Sequence, residues 1–451
     1  MSIPGSRSAR ATVDASPRFA RRAVACPGPG ARAARSLAGA LGVWVALSVP
    51  AGALAARAAA ARPQSAVAPL PASNYLVRAV CAPPAPGYAS CLALKLVPLT
   101  PAARAHNRPI GRSVRRAPSL GRASESAFGL RPSDLHSGYA LPTEAPLPQT
   151  IALVDAYNDP TAEQDLAVYD AEFHLPPCTR ENGCFRKVNQ AGAESPLPET
   201  EGGWASEIAL DIETAHAICQ NCRILLVEAS NSRGGALEAA EETAVALGAT
   251  EISNSWGAPG EAIDTPAFNH PGIVITAATG DYGYLNWNAP FTEFVGHPDY
   301  PATSPHVVAV GGTRLRLSVE SAWQSESVWN DGSTVSVPEP HGASGGGCSE
   351  SFAAPEWQTL LTNWVSVGCA TKRSGADVSA DADPYTGVAV YDSTPPESGW
   401  TAFGGTSLAS PIIAATFALA GGANGVEYAA KTLYSHVGAS SLHDITVGSN
   451  G

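Results

Sequence analysis

From about Arg131 onward, short apolar segments alternate with longer helical ones, and this alternation restricts the fold more than any other feature of the chain. Residues 150–155, 223–227, 251–256, 272–278 and 307–310 read as strands, and residues 161–173, 204–219 and 235–248 as helices. The strands are continuous apolar runs, the pattern of strands buried on both faces. The predicted fold class is therefore α/β, with a mostly parallel central sheet covered by helices in three layers. Ligands on such sheets sit beyond the carboxyl ends of the strands. Asp155, Ser253 to Trp256, Asp281 and Ser407 all fall at or just past such ends.

A chain of 451 residues, 45% hydrophobic and 15% charged, has material for a large catalytic domain plus a smaller segment. The first 55 residues stand apart. Seven arginines and one acid precede an apolar stretch, residues 37–55, that ends in Ala53-Leu54-Ala55, a small-x-small cleavage site. This pattern predicts a secretory signal over residues 1–55, with an uncleaved membrane anchor as the alternative. Removing it takes the net charge from −12 to −18 by loss of seven arginines and one aspartate. An acidic secreted chain excludes nucleic acid and, once the signal is gone, stable membrane association as expected partners. Eight cysteines follow the leader, an even number that suits four disulfides in an exported protein. Pairing neighbours, 81–91, 178–184, 219–222 and 348–369, is the simplest arrangement. Residues 56–130 read as a short N-terminal segment, with a strand pair between Asn74 and Pro98 and a basic linker over 101–128.

Gly404-Gly405-Thr406-Ser407 leads directly into an apolar run over residues 412–420. A tight turn opening a buried helix fits this order, with Ser407 in the first turn. There the unpaired N–H groups and the positive end of the helix dipole favour negative charge on an attacked carbonyl. The plain alternative is a serine N-cap. Carboxyl groups decide between the two. Glu207 and Asp211 stand four apart on the helix from Trp204, on one face and one turn from each other, among Ile208, Ala209, Leu210 and Ile212. Glu213 turns toward another face. Asp281 follows an apolar strand in Thr279-Gly280-Asp281-Tyr282-Gly283, where an ordinary turn aspartate is the competing reading.

These elements, in this order, resemble the sedolisin family of serine-carboxyl peptidases, over residues 131–451. Further matching segments are Val154-Asp155-Ala156-Tyr157, Ser253-Asn254-Ser255-Trp256-Gly257, Ser344-Gly345-Gly346-Gly347 and Asp444-Ile445-Thr446. The resemblance implies a subtilisin-like fold and an acid-acting endopeptidase. It makes Ser407 the nucleophile, Glu207 its general base, Asp211 the residue that orients Glu207, and Asp281 the oxyanion-hole acid. It also implies that Ser253, Asn254, Ser255, Trp256, Gly257, Ser344, Gly345 and Gly346 line the path of an extended polypeptide substrate. Asp444 and the Ile445 carbonyl would begin a calcium site. The chain stops at Gly451 before the family's later calcium ligands, so the expected domain lacks its C-terminal end. Residues 56–130 are also fewer than the family's usual propeptide. The expected product is a secreted monomer.

Two rival readings stay open. In a subtilisin-type hydrolase, Asp155 and His216 would complete a triad with Ser407. A secreted peptidase-like binding protein would have no activity.

Overall fold

The structure, a computed structural model, describes residues 74–99, 128–260, 264–286, 296–331, 342–397 and 399–451. The expected signal and nearly all of the basic linker lie outside the described residues.

Eight strands form the central sheet, in the order β13 (Trp323–Val328), β12 (Val308–Leu317), β9 (Val274–Ala278), β7 (Glu251–Asn254), β4 (Thr150–Ala156), β6 (Arg223–Ala229) and β5 (Phe185–Asn189), with β16 (Val378–Asp381) also paired to β12. All pairings are parallel except that of β12 with β13. The continuous apolar runs are the reason. Along β4, Ile151 and Leu153 pack into one buried cluster, while Ala152 and Val154 pack into another on the opposite face. Each strand therefore feeds two cores, and helices cover both faces. On one side lie α3 (Gly202–Ile218) and α5 (Thr406–Leu419), and on the other α4 (Gly234–Ala246). Two further helices, α1 (Pro132–Gly138) and α2 (Ala162–Phe173), precede α3.

Both helices that carry site residues are buried nearly all round. In α3 every residue from Trp204 to Ile218 is buried, and its first turn is closed by the Glu201 side chain accepting from Trp204 N at 2.9 Å. In α5 only Thr416 is less than fully buried, in keeping with its small and mostly apolar residues. Pro411 lies inside α5, where it has no N–H for the carbonyl four residues back. That carbonyl belongs to Ser407, and the Ser255 hydroxyl lies 3.2 Å from it.

The expected strand over 251–256 is two strands, because the chain leaves the sheet at Ser255 and continues as β8 (Trp256–Pro259). β8 pairs antiparallel with β2 (Ser90–Cys91) on one side and β11 (Asp299–Tyr300) on the other. A four-stranded sheet joins β1 (Tyr75–Ala79), β3 (Leu94–Pro98), β18 (Gly399–Gly404) and β17 (Val388–Asp392). A three-stranded one joins β10 (Tyr282–Tyr284), β14 (Ala343–Ala353) and β15 (Lys372–Gly375). All four neighbouring-cysteine disulfides are present: Cys81–Cys91, Cys178–Cys184, Cys219–Cys222 and Cys348–Cys369.

Candidate active site

Three chain segments meet at the carboxyl ends of the central strands. Gly405 turns the chain from β18 into α5 with φ of 94°, a left-handed value suited to glycine. A Cβ at this position would collide with the Leu92 carbonyl oxygen and come within 2.7 Å of Asp281 Oδ2. The turn leaves Ser407 fully buried in the first turn of the helix, its hydroxyl donating to Ser255 O at 2.9 Å.

Glu207 projects from α3 toward the same point. Burial pushes its carboxyl well above the usual carboxylate range, and the charge of Asp155 adds to this; contact with the Ser407 hydroxyl and the Leu92 backbone pulls the other way. Neither Glu207 oxygen makes a bond of full hydrogen-bond geometry, so the group faces Ser407 without being locked to it. Asp211, one turn on, is also raised by burial and by the charges of Asp155 and Glu207. Ser255 Oγ is 2.8 Å from Asp211 Oδ1 as well as 3.2 Å from Ser407 O. One hydroxyl proton cannot serve both acceptors, so a protonated Asp211 completes the pair. Glu213 accepts from Tyr391 N at 3.0 Å, away from this cluster, as its spacing predicts.

Asp281 approaches from the end of β9. Its Oδ1 accepts from Thr406 N at 2.7 Å and from Thr406 Oγ at 2.8 Å, while Oδ2 meets no hydrogen-bond partner among the described residues. Burial, with a smaller contribution from Asp299, holds its pKa up at about 8 against the Thr406 bonds that lower it. Oδ2 and the Leu92 oxygen, which takes the Ser407 N–H at 3.0 Å, both crowd the side of Gly405 where a Cβ would stand. A backbone N–H and a protonated carboxyl gathered at one turn are the kinds of donor that stabilise an oxyanion.

Two residues belong to the site in ways the sequence did not reveal. Asp155, at the end of β4, is a third buried carboxyl against Glu207 and Asp211, raised to about 8 by burial and by Glu228. Thr406, beside the serine, holds Asp281 in place. The rival base His216 lies elsewhere: its Nε2 is 2.9 Å from Pro176 O and 3.3 Å from Asp170. Its neighbours Cys178 and Cys184 are joined in a disulfide, which leaves no thiolates for a metal.

The residues expected along the substrate path divide into two groups. Ser255, Trp256 and Gly257 present backbone at the cleft: Ser255 O accepts from Leu92 N at 3.1 Å, and Trp256 and Gly257 pair with Cys91 and Ser90. Ser253 and Asn254 are buried inside the sheet, with Ser253 Oγ 2.9 Å from Ser410 Oγ and Asn254 donating to Thr276 O. Ser344 and Gly345 brace the Asp281 loop. Ser344 Oγ accepts from Gly312 N at 2.8 Å, and Gly345 N donates to Gly280 O at 2.6 Å. The Gly346 carbonyl accepts from Leu285 N.

Asp444 is exposed, and Ile445 lies in the same loop, just before Val447 O takes the Val328 N–H at 2.8 Å. Among the described residues Asp444 belongs to no group of three or more carboxylates, histidines or cysteines within ligand distance of one another.

The buried carboxyls make stability depend on pH. Asp155 and Asp281 at about 8, Asp299 at about 7, and Asp211 raised well above normal keep protons that an unfolded chain releases near pH 4. Stability is thus fully present below about pH 4 and declines as pH rises toward 7–8. Calorimetry should show a melting temperature on the order of 10 °C lower at pH 8 than at pH 4. A melting temperature that rises over that interval would contradict the protonation pattern.

A subtilisin-like sheet with a helix-borne serine among carboxyl groups, and no histidine bonded to that serine among the described residues, defines the class. The model of the subtilase family matches residues 202–436. Kumamolisin of Bacillus sp. (strain MN-32) is 34% identical over 280 residues, 58% of this chain and 48% of kumamolisin. Sedolisin of Pseudomonas sp. (strain 101) is 32% identical over 191 residues, 40% of this chain and 30% of sedolisin. The chain thus spans about half the length of kumamolisin, and less of sedolisin. A solved Pseudomonas sedolisin, described as a serine-carboxyl proteinase complexed with pseudo-iodotyrostatin, superposes with a TM-score of 0.59 at 24% identity, over 72% of this chain and 90% of that one. The chain belongs to the sedolisin family, within the subtilases.

Proposed function

We propose that this protein is a secreted, acid-acting serine-carboxyl endopeptidase that cleaves polypeptides. The observation that carries the proposal is the gathering of Glu207 at the serine hydroxyl and of Asp281 and the Ser407 N–H around the turn at Gly405. In this reading Glu207 takes the Ser407 proton as the hydroxyl attacks, and Asp211 and Asp155 set how readily it does so. Protonated Asp281 and the Ser407 N–H hold the oxyanion. The backbone of Ser255 to Gly257 pairs with the substrate as an added strand. Family membership and the four disulfides support this reading. We further propose residues 1–55 as signal, 56–130 as pro-like segment and linker, and 131–451 as the peptidase domain. The protein is read as a monomer, with a calcium ion held from Asp444 and Ile445.

Incubating the purified protein with a denatured polypeptide at pH 3–7 tests the proposal. Hydrolysis should be greatest in the acid range and fall toward alkaline pH: in acid Asp281, Asp211 and Asp155 keep their protons, and the one negative charge of the buried cluster lets Glu207 accept the serine proton. It should be absent in a Ser407→Ala control. A maximum at alkaline pH, or equal hydrolysis by the control, refutes the assignment. Binding of substrate by both proteins without turnover would favour the inactive binding protein.

A further inference from the structure

A buried lysine stands next to the carboxyl groups of the site, and what it touches decides where a proton rests. Asp155 and Glu228 are directly opposite each other in the parallel ladder of β4 and β6. Alternation along the strands puts both on the face covered by α3, in line with Ile151 and Leu153 and with Ile224 and Leu226. Lys187 of β5 shares that face with Phe185. Asp155 and Glu228 are fully buried, and Lys187 is only 5% exposed. Two carboxylates side by side in such a place cannot both carry charge, so the pair holds a proton.

The hydrogen-bond donors all fall on one member of the pair. Glu228 Oε1 accepts from Asp159 N at 3.0 Å and lies 3.3 Å from Lys187 Nζ. Lys187 Nζ also donates to Asn158 Oδ1 at 2.7 Å and to Asp159 O at 2.5 Å, so its three N–H groups have three acceptors. Neither oxygen of Asp155 has a hydrogen-bond partner among the described residues. The charge is thus better held on Glu228 and the proton on Asp155. The order of titration agrees. Burial raises Glu228 to about 7 while Lys187 and the Asp159 N–H pull it down, and burial with the Glu228 charge raises Asp155 to about 8. A charge on Glu207 or Asp211, which α3 brings to Asp155, reinforces this order. The other ionisable groups of α3 turn away, Glu213 to Tyr391 and His216 to Asp170. Asp159 opposes the order as the weakest influence on Glu228; it accepts from Thr161 and Thr394, with Asp165 and Asp392 beyond it. On the opposite face, Glu241 of α4 interacts with Asn254.

We infer that Lys187 and Glu228 are positioning residues of the catalytic site: Lys187 draws the charge of the Asp155–Glu228 pair onto Glu228, so that Asp155 keeps its proton against Glu207. The inference rests on the peptidase reading above and adds what sets the alkaline end of its working range. A charge on Asp155 favours a proton on Glu207, and a Glu207 that already carries one cannot take another from Ser407. With Lys187 in place, Glu228 is the first of the pair to ionise, and its charge then holds the Asp155 proton through the neutral range. Without Lys187, Glu228 keeps its own proton and no longer raises Asp155, which then ionises first. Neither Lys187 nor Glu228 exchanges a proton with the substrate. Both act through Asp155 on Glu207.

The test compares kcat on a denatured polypeptide from pH 4 to 9 in the full chain and in its Lys187→Met, Glu228→Gln and double variants. In each variant the alkaline limb of the profile should move about one unit toward acid, making the loss about fivefold larger at pH 8 than at pH 5. The double variant should move no further than Glu228→Gln alone, because both changes act through the charge on Glu228. A limb that stays in place or moves toward alkali in either single variant, including a uniform loss at every pH, overturns the inference and leaves the peptidase reading standing. Absence of hydrolysis in every protein defeats the peptidase reading instead. In that case, or if Lys187→Met does not fold, the protons are read without turnover by infrared spectroscopy of Ser407→Ala carrying ¹³C-labelled aspartate. The C=O bands lost on adding Asp155→Asn and Glu228→Gln identify the two protonated carboxyls. As pH rises the Glu228 band should vanish first, by about one unit. An Asp155 band that vanishes first, or together with it, overturns the inference.

Discussion

Replacing Glu207 with Gln should abolish nearly as much activity as removing the serine hydroxyl itself. The substitution keeps the volume of the buried side chain and its place on α3, and removes only the ability to accept the Ser407 proton. General-base loss costs on the order of 10²–10⁴ in rate, and groups that act as one unit lose far less than additively when removed together. The expected result at pH 4 is a fall in kcat of about 10³-fold or more for Glu207→Gln. The Glu207→Gln/Ser407→Ala double variant should be little worse than Ser407→Ala alone. Stability should move the other way. Glu207 is fully buried without a fixed partner, and burial disfavours its charge, so the amide removes a liability that grows with pH. Glu207→Gln should therefore melt at a higher temperature than wild type at pH 8, with a smaller difference at pH 4. A variant that keeps activity within about tenfold would remove Glu207 from the chemistry.

Much of this site was legible in the chain because its parts are local patterns. Glycines before a serine and an apolar run after it specify a turn into a buried helix, and α5 is that helix. The four-residue spacing of Glu207 and Asp211 among apolar neighbours places both carboxyls on one face of α3 and turns Glu213 to Tyr391. The central strands were legible for the same reason, since an apolar run of five to seven residues has few other uses in a covered sheet.

What could not be read depends on residues distant in sequence. Asp155 ends its strand whatever its role. Only the parallel sheet places it against Glu207, and the rival triad that would pair it with His216 fails because that histidine lies beside Asp170. Pro411 looks like an interruption in a helix, and its effect on the Ser407 carbonyl appears only with Ser255 in view. The strand pair between Asn74 and Pro98 was legible as a hairpin, but its partners β8 and β18 lie far along the chain. No local pattern announces that Leu92 enters the cleft. Cleft-lining roles for Ser253 and Asn254 came from a continuous motif, whereas the chain leaves the central sheet at Ser255 and only the later residues pair with β2.

The second large effect should come from Asp281, and the identity of the replacement should decide its direction. Asp281 can help an oxyanion only through a proton. Its Oδ1 is already committed to two bonds from Thr406, so that proton belongs on Oδ2, the oxygen without a partner. With a pKa held up at about 8, chiefly by burial, the carboxyl stays protonated through the acid and neutral range and loses this ability as pH rises past that value. Asp281→Ala removes the donor at every pH, and kcat should fall about 10²–10³-fold, the usual cost of one oxyanion donor. Asp281→Asn keeps a donor, its side-chain NH₂, at the Oδ2 position, while its carbonyl still accepts from Thr406. Activity at pH 4 should then remain within about tenfold of wild type, and any alkaline loss of activity due to Asp281 should disappear from the pH–kcat profile. Equal losses in the two variants would mean that Asp281 acts by shaping the turn through Thr406 and not by donating a proton.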